Sequence, residues 1–143
     1  MSADLSLALH HVGIVVPEIE PASEFYVSVL GYEPKTAVIH DPTQTAFVQF
    51  FALPGADHYV ELVAPDGEES KLLNASKKKI PLNHLCYRCS DIEAATAQMR
   101  DQGCLVLEEP VAAVAFDGRR ISWLITGERL LVELVERGPE GSL

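Results

Sequence analysis

The sequence predicts an α+β fold made of two copies of one module, each running strand, helix, then three strands. Three observations predict it. First, the chain repeats itself at a steady offset: His11 and His84 stand 73 residues apart, as do Ile19 and Ile92, while Gly31 and Gly103, and Glu61 and Glu133, stand 72 apart. A period of this kind marks a duplicated supersecondary unit. Second, each copy opens with an apolar stretch ("LALHHVGIVV", "LNHLCYRC") and passes into a helix-forming stretch that stops at a glycine. Third, residues 65–81, "PDGEESKLLNASKKKIP", are polar and without sustained periodicity, and so read as the linker between copies.

In the first module, strands are expected near 8–16, 33–39, 45–52 and 58–64, with a helix near 20–29. The strand runs are rich in Val, Ile and Phe, and "PEIEP" and "ADH" supply turns. In the second module, strands fall near 82–89, 104–109, 112–124 with an interruption, and 129–136, and the helix near 91–102. Ser90 or Asp91 suits that helix as N-cap, and Gly31 and Gly103 suit the position just beyond each helix. "AFVQFFAL" precedes "RRISWLIT" by about the same 73 residues. Neither half is large enough to bury a good core alone. Residues 1–143 are therefore expected to form a single domain, with module 1 at about 8–64 and module 2 at about 82–137.

Composition narrows the function. The net charge of −10 argues against nucleic acid and against an anionic membrane surface. Lys77, Lys78 and Lys79 form the one basic run; it reads as a solvated loop, or as a contact for a phosphate-bearing substrate. There is no apolar run of membrane-spanning length and no signal-peptide pattern, so a cytoplasmic protein is expected. The three cysteines make no disulfide framework. Cys86 and Cys89 spell C-x-x-C, but positions three apart on a strand face opposite ways, which rejects a zinc-knuckle or thioredoxin reading.

Four residues are out of place in apolar strands. Each module opens with a strand bearing His and closes with a strand bearing Glu: His11 and Glu61, then His84 and Glu133. A carboxylate buried without a partner costs several kcal/mol, on the order of the effective penalty for a single buried ion. Its recurrence at matching places suggests a shared partner. Two imidazoles and two carboxylates suit one divalent ion, Zn²⁺, Co²⁺, Ni²⁺, Mn²⁺ or Fe²⁺. His10 and His11 are neighbours on a strand and must point to opposite faces.

At these residues the chain resembles the vicinal oxygen chelate superfamily, which includes glyoxalase I, methylmalonyl-CoA epimerase, extradiol dioxygenases and bleomycin-resistance proteins. The resemblance spans roughly residues 8 to 137. It implies paired βαβββ modules forming an open, barrel-like mixed sheet around a metal cleft, with His11, Glu61, His84 and Glu133 as ligands. His11 rather than His10 is the ligand, because it directly precedes the apolar-Gly-apolar step; His10 reads as structural or solvent-facing. "LHHVGIVV", "ELVAP", "LNHLCYRCSDIEAA" and "LLVELVE" are most similar to methylmalonyl-CoA epimerase and its relatives. In the epimerase the position of Glu61 is often Gln, with which Glu is compatible, and one departure matters. The epimerase carries a catalytic Glu in the loop before its third strand, and the nearest matching position here is Gln44, with His40 and Asp41 in the same stretch as candidates to replace it.

The resemblance implies metal-assisted enolisation: epimerisation or isomerisation of a small acyl compound, an acyl thioester, with Glu133 as ligand and base and Glu61 in the mirror role. A glyoxalase-I-like lyase, whose ligand set resembles H-E-H-E, is the alternative. An extradiol dioxygenase fits less well, since Glu61 would be a surplus carboxylate. A non-catalytic ligand- or antibiotic-binding protein on the same fold is a further alternative. Candidate substrate contacts are Gln44, Arg88, Arg119 and Arg120; of the two consecutive arginines, one should face the cleft. A homodimer is the expected assembly.

Overall fold

The computed structural model describes residues 5–143. The chain forms two compact units: His11–Asn83, and His84–Leu143 together with the segment that ends at His10. The architecture is mixed α+β, with few helices and open sheets of parallel and antiparallel strands. No helix is long and apolar enough to cross a membrane.

The first unit takes its strands from β1 (Ala8–Val15), of which it holds the part from His11 onward, β2 (Glu33–Pro34), β3 (Ile39–Asp41), β4 (Ala46–Ala52) and β5 (Tyr59–Pro65). β5 lies between β1, parallel to it, and β4, antiparallel to it; β2 and β3 both pair with β4. The helix α1 (Ile19–Ser28) carries Pro21 in its first turn, where no intrahelical donor is lost, and Gly31 follows it at φ 83°. Ile19 of α1 packs with Phe51, Leu62 and Ala64. Because side chains alternate, Leu62 and Ala64 on the helix side leave Glu61 and Val63 on the other face. The span expected as one strand over 33–39 is two short ones, β2 and β3, separated by four residues. Within the expected linker, α2 (Leu73–Lys77) makes one short turn of helix, and Lys77, Lys78 and Lys79 are exposed.

The second unit is ordered β6 (Leu82–Cys89), of which it holds the part from His84 onward, β9 (Leu131–Glu136), β8 (Arg120–Ile125), β7 (Leu105–Ala112). β6 and β9 are parallel; the other pairs are antiparallel. Asp91 is the N-cap of α3 (Ile92–Asp101): its carboxylate accepts from the Ala94 N–H at 3.0 Å. Ile92 and Ala95 pack on Cys89, Leu124, Val132 and Leu134, and Leu5 joins this core from the N-terminal segment. Arg137 donates to the Ser6 carbonyl at 2.8 Å, which fastens that segment to the end of β9. The strand expected over 104–109 is β7, which runs on to Ala112, and the interrupted strand expected over 112–124 resolves into a 3₁₀ turn at Val114–Phe116 and β8. Asp117 and Gly118, both at positive φ, make the reversal.

Candidate active site

In the first unit, the parallel register sets Gly13 opposite Glu61. His11 lies two residues before Gly13, so His11 and Glu61 share a sheet face. His11 Nε2 is 3.2 Å from Glu61 Oε1, and both residues are buried. Phe50, the partner of Glu61 across the β4–β5 ladder, meets the His11 ring edge to face at 5.2 Å.

The second unit repeats the arrangement. Cys86 stands opposite Glu133, and His84, two residues earlier, shares that face. His84 Nε2 is 3.5 Å from Glu133 Oε1, and both residues are buried. Trp123, the partner of Glu133 across β8–β9, meets the His84 ring at 4.8 Å and 81°. Each unit thus carries one imidazole, one carboxylate and one aromatic edge at matching places. The copies differ in two respects: Trp123 stands where the first unit has Phe50, and Cys86 where it has Gly13.

The chemistry of each pair depends on the imidazole tautomer. With the proton on Nε2, the ring donates a hydrogen bond to the carboxylate. With the proton on Nδ1, a nitrogen and an oxygen lone pair converge on one point. The spacing accommodates either state. Two adjacent ligand atoms, each about 2.1 Å from a divalent ion, stand roughly 3.0 Å apart at an octahedral edge and roughly 3.4 Å apart at a tetrahedral one. The residue types in each pair therefore fit a first-row divalent metal, and the ion would offset the cost of burying the carboxylate.

The structure brings His11 to Glu61 and His84 to Glu133. It disposes the remaining candidates differently. Arg88 shares the strand face of His84 and Cys86 and is half-buried. Arg120 lies on the opposite, α3-facing side of β8: its guanidinium pairs with Glu93 at 3.0 Å and Glu136 at 3.1 Å. Those bonds hold the Glu136 carboxyl below its ordinary pKa. Arg119 donates to the Glu136 carbonyl at 3.0 Å and to the Leu143 carbonyl, and its guanidinium stacks over Phe116 at 5.4 Å. Both arginines are thus occupied by the protein's own acceptors. Gln44 sits in the turn between β3 and β4, and its backbone N–H donates to Asp41 Oδ1 at 3.2 Å. That turn is clasped by Ser70, which donates to the Thr45 carbonyl at 2.6 Å and accepts from the Leu72 N–H. His40 is exposed and pairs with Asp66 at 3.0 Å.

His10 is fully buried, edge-on to Phe116 at 5.3 Å, and so is not solvent-facing. The two cysteines of the C-x-x-C stretch separate as strand alternation requires: Cys89 enters the helix-side core, where burial pushes its thiol up to about 11, while Cys86 lies on the face of His84. Phe50 and Trp123 are the site neighbours that sequence reasoning missed. A signal for them was present, since they too are 73 residues apart.

Two units of a strand, a helix and a run of further strands, each turning a histidine from its first strand and a glutamate from its last to one sheet face, define a protein of the paired-module chelate type. The chain belongs to the Glyoxalase/Bleomycin resistance protein/Dioxygenase superfamily, whose profile matches residues 10–123. It is 31% identical over 118 residues to the ethylmalonyl-CoA/methylmalonyl-CoA epimerase of Cereibacter sphaeroides, covering 81% of this chain and 86% of that one. It is 29% identical over 130 residues to the mitochondrial methylmalonyl-CoA epimerase of Bos taurus, covering 88% and 72% of the two chains. Among solved structures, it superimposes on methylmalonyl-CoA epimerase from Mycobacterium tuberculosis with a TM-score of 0.84 at 29% identity, over 98% of this chain and 95% of that one. The relatives are epimerases, and the chain is an epimerase-like enzyme at the level of the family.

Proposed function

We propose that the protein is a divalent-metal-dependent epimerase acting on a small acyl thioester of the malonyl-CoA type, through an enolate. The observation that carries this reading is the buried imidazole–carboxylate pair repeated in both units, at 3.2 Å and 3.5 Å. The names of the epimerase relatives supply the substrate class. In this reading His11, Glu61, His84 and Glu133 together hold one ion. When bound, it supplies Lewis-acid stabilisation of the negative oxygen that forms as the α-proton leaves.

The protein's own groups do the rest. Glu133 and Glu61 are the carboxylates available to take and return the α-proton, each held beside an imidazole that keeps it oriented. Phe50 and Trp123 wall the two pairs with apolar rings, which keeps the local dielectric low and strengthens every charge interaction there. Gln44 cannot accept a proton, so the turn between β3 and β4 contributes a hydrogen-bonding amide rather than a base. Arg88 lies on the strand face of His84, and a guanidinium there suits an anionic substrate group. The assembly proposed is a homodimer in the cytoplasm.

A second reading is a glyoxalase-I-like lyase acting on a hemithioacetal. The acidic residue at position 61, a full carboxylate 3.2 Å from His11, favours it.

The test is metal content of wild type and His84→Ala by mass spectrometry, with α-deuterium incorporation into methylmalonyl-CoA in D₂O. The reading expects about one ion per chain, lost in the variant, and exchange that follows the metal. Exchange with a hemithioacetal and none with the thioester would move the assignment to the lyase. Wild type that takes up none of the five ions would overturn the enzyme reading.

A further inference from the structure

The two half-sites are alike except at the aromatic position, and that difference has a chemical content. Phe50 has no polar atom. Trp123, at the matching place, carries an indole N–H, a donor that has no acceptor role. Its Nε1 is buried, and it has no hydrogen-bond partner among the described residues. A buried donor left without an acceptor costs as much as a hydrogen bond contributes, so native proteins rarely keep one for packing alone. A phenylalanine would fill this place at no such cost, as Phe50 does in the other copy. Trp123 also borders the proposed site: it is the ladder partner of Glu133 and stands against the His84 ring at 4.8 Å.

We propose that the Trp123 indole N–H donates a hydrogen bond to an oxygen of the substrate's acyl group, and so makes the two half-sites inequivalent. Trp123 is then a specificity-determining residue. The inference rests on the acyl thioester reading above and deepens it. Two oxygens are candidates, the thioester carbonyl and the free carboxylate of a malonyl-type group. The carboxylate would give the stronger bond, being charged.

The experiment uses the fact that Trp123 is the single tryptophan of the chain. In the metal-loaded, ¹⁵N-labelled protein, one indole resonance reports this N–H without assignment. Methylmalonyl-CoA and propionyl-CoA, which lacks the free carboxylate, are titrated separately. Trp123→Phe, which keeps an aromatic edge against His84, is measured for metal content, KM and kcat. The expected result is a downfield shift of the indole proton on adding ligand, and a KM for methylmalonyl-CoA raised about tenfold in the variant, the loss of one ordinary hydrogen bond. Metal content should stay as in wild type. A shift with both thioesters assigns the carbonyl; a shift with methylmalonyl-CoA alone assigns the carboxylate. Turnover by wild type with an unmoved indole resonance and unchanged KM in Trp123→Phe would overturn this proposal alone, leaving the ring as packing against His84. Absence of both turnover and binding for either thioester would overturn it together with the reading it rests on.

Discussion

Replacing Glu133 by Gln keeps the shape of the side chain and removes its charge. Glu133 is 6% exposed and lies 3.5 Å from His84 Nε2, so without metal its carboxylate is held at a cost. The amide is cheaper to bury than the carboxylate, and the metal-free variant should stay within about 1 kcal/mol of wild type. With metal the difference becomes large. At a free ion concentration a hundred times Kd, binding stabilises wild type by about 2.7 kcal/mol, which raises Tm by roughly 8 °C for a chain of this size. If loss of the charged ligand weakens affinity about a hundredfold, the same ion concentration stabilises the variant by only about 0.4 kcal/mol, roughly 1 °C. The assay is thermal unfolding of both proteins with chelator and with each of the five candidate ions, at matched free concentrations. Equal metal-induced shifts in wild type and Glu133→Gln would refute the assignment of Glu133 as a ligand. A metal-free variant destabilised by several kcal/mol would instead mark the His84–Glu133 contact as a self-sufficient ion pair.

Three further predictions follow from particular residues. Gln44→Glu should raise α-proton exchange with acyl thioesters by at least tenfold, since it adds a carboxylate base to the turn between β3 and β4; unchanged exchange would show that this turn does not reach the substrate. Cys89, with its thiol pushed up to about 11 by burial, should resist alkylation in the native protein at pH 8, while the half-buried Cys104 labels first; peptide mapping after a brief iodoacetamide pulse reads the order. Glu136 has its carboxyl held below the ordinary range by hydrogen bonds from Arg120. Its contribution is present above the unfolded carboxyl pKa, about 4.3, and is lost as pH falls through the lower folded value. Arg120→Met should therefore lower stability at neutral pH and flatten its decline below about pH 4, as followed by urea unfolding across that range.

Much of the candidate site was legible in the sequence because its signals are one-dimensional. A duplicated module preserves spacing, so the offset of 72–73 residues picked out His11, Glu61, His84 and Glu133 as a set. Strand alternation separated Cys86 from Cys89, because odd-spaced strand residues face opposite ways. Helix ends were legible for a similar reason: Asp91 caps α3, and Gly31 and Gly103 take the positive φ that follows each helix.

Tertiary structure decided what depends on pairing between distant segments. Sequence does not state that β1 runs parallel to β5 with Gly13 opposite Glu61, and a slip of one residue would have turned Glu61 toward the helix. Nor could it say what either of the two consecutive arginines would meet. Arg120 turned to Glu93 and Glu136, and Arg119 to backbone carbonyls at the chain's end, because acceptors brought there by α3, β9 and the C-terminus hold them. The segment before β1 packs with the second unit through Leu5 and Ser6, a placement that no local propensity encodes. The sequence by itself determined the two modules and the histidine and glutamate that stand at matching places in each. Only the fold decided their faces and distances, and that Phe50 and Trp123 stand against the histidines, because those are properties of register and packing rather than of order along the chain.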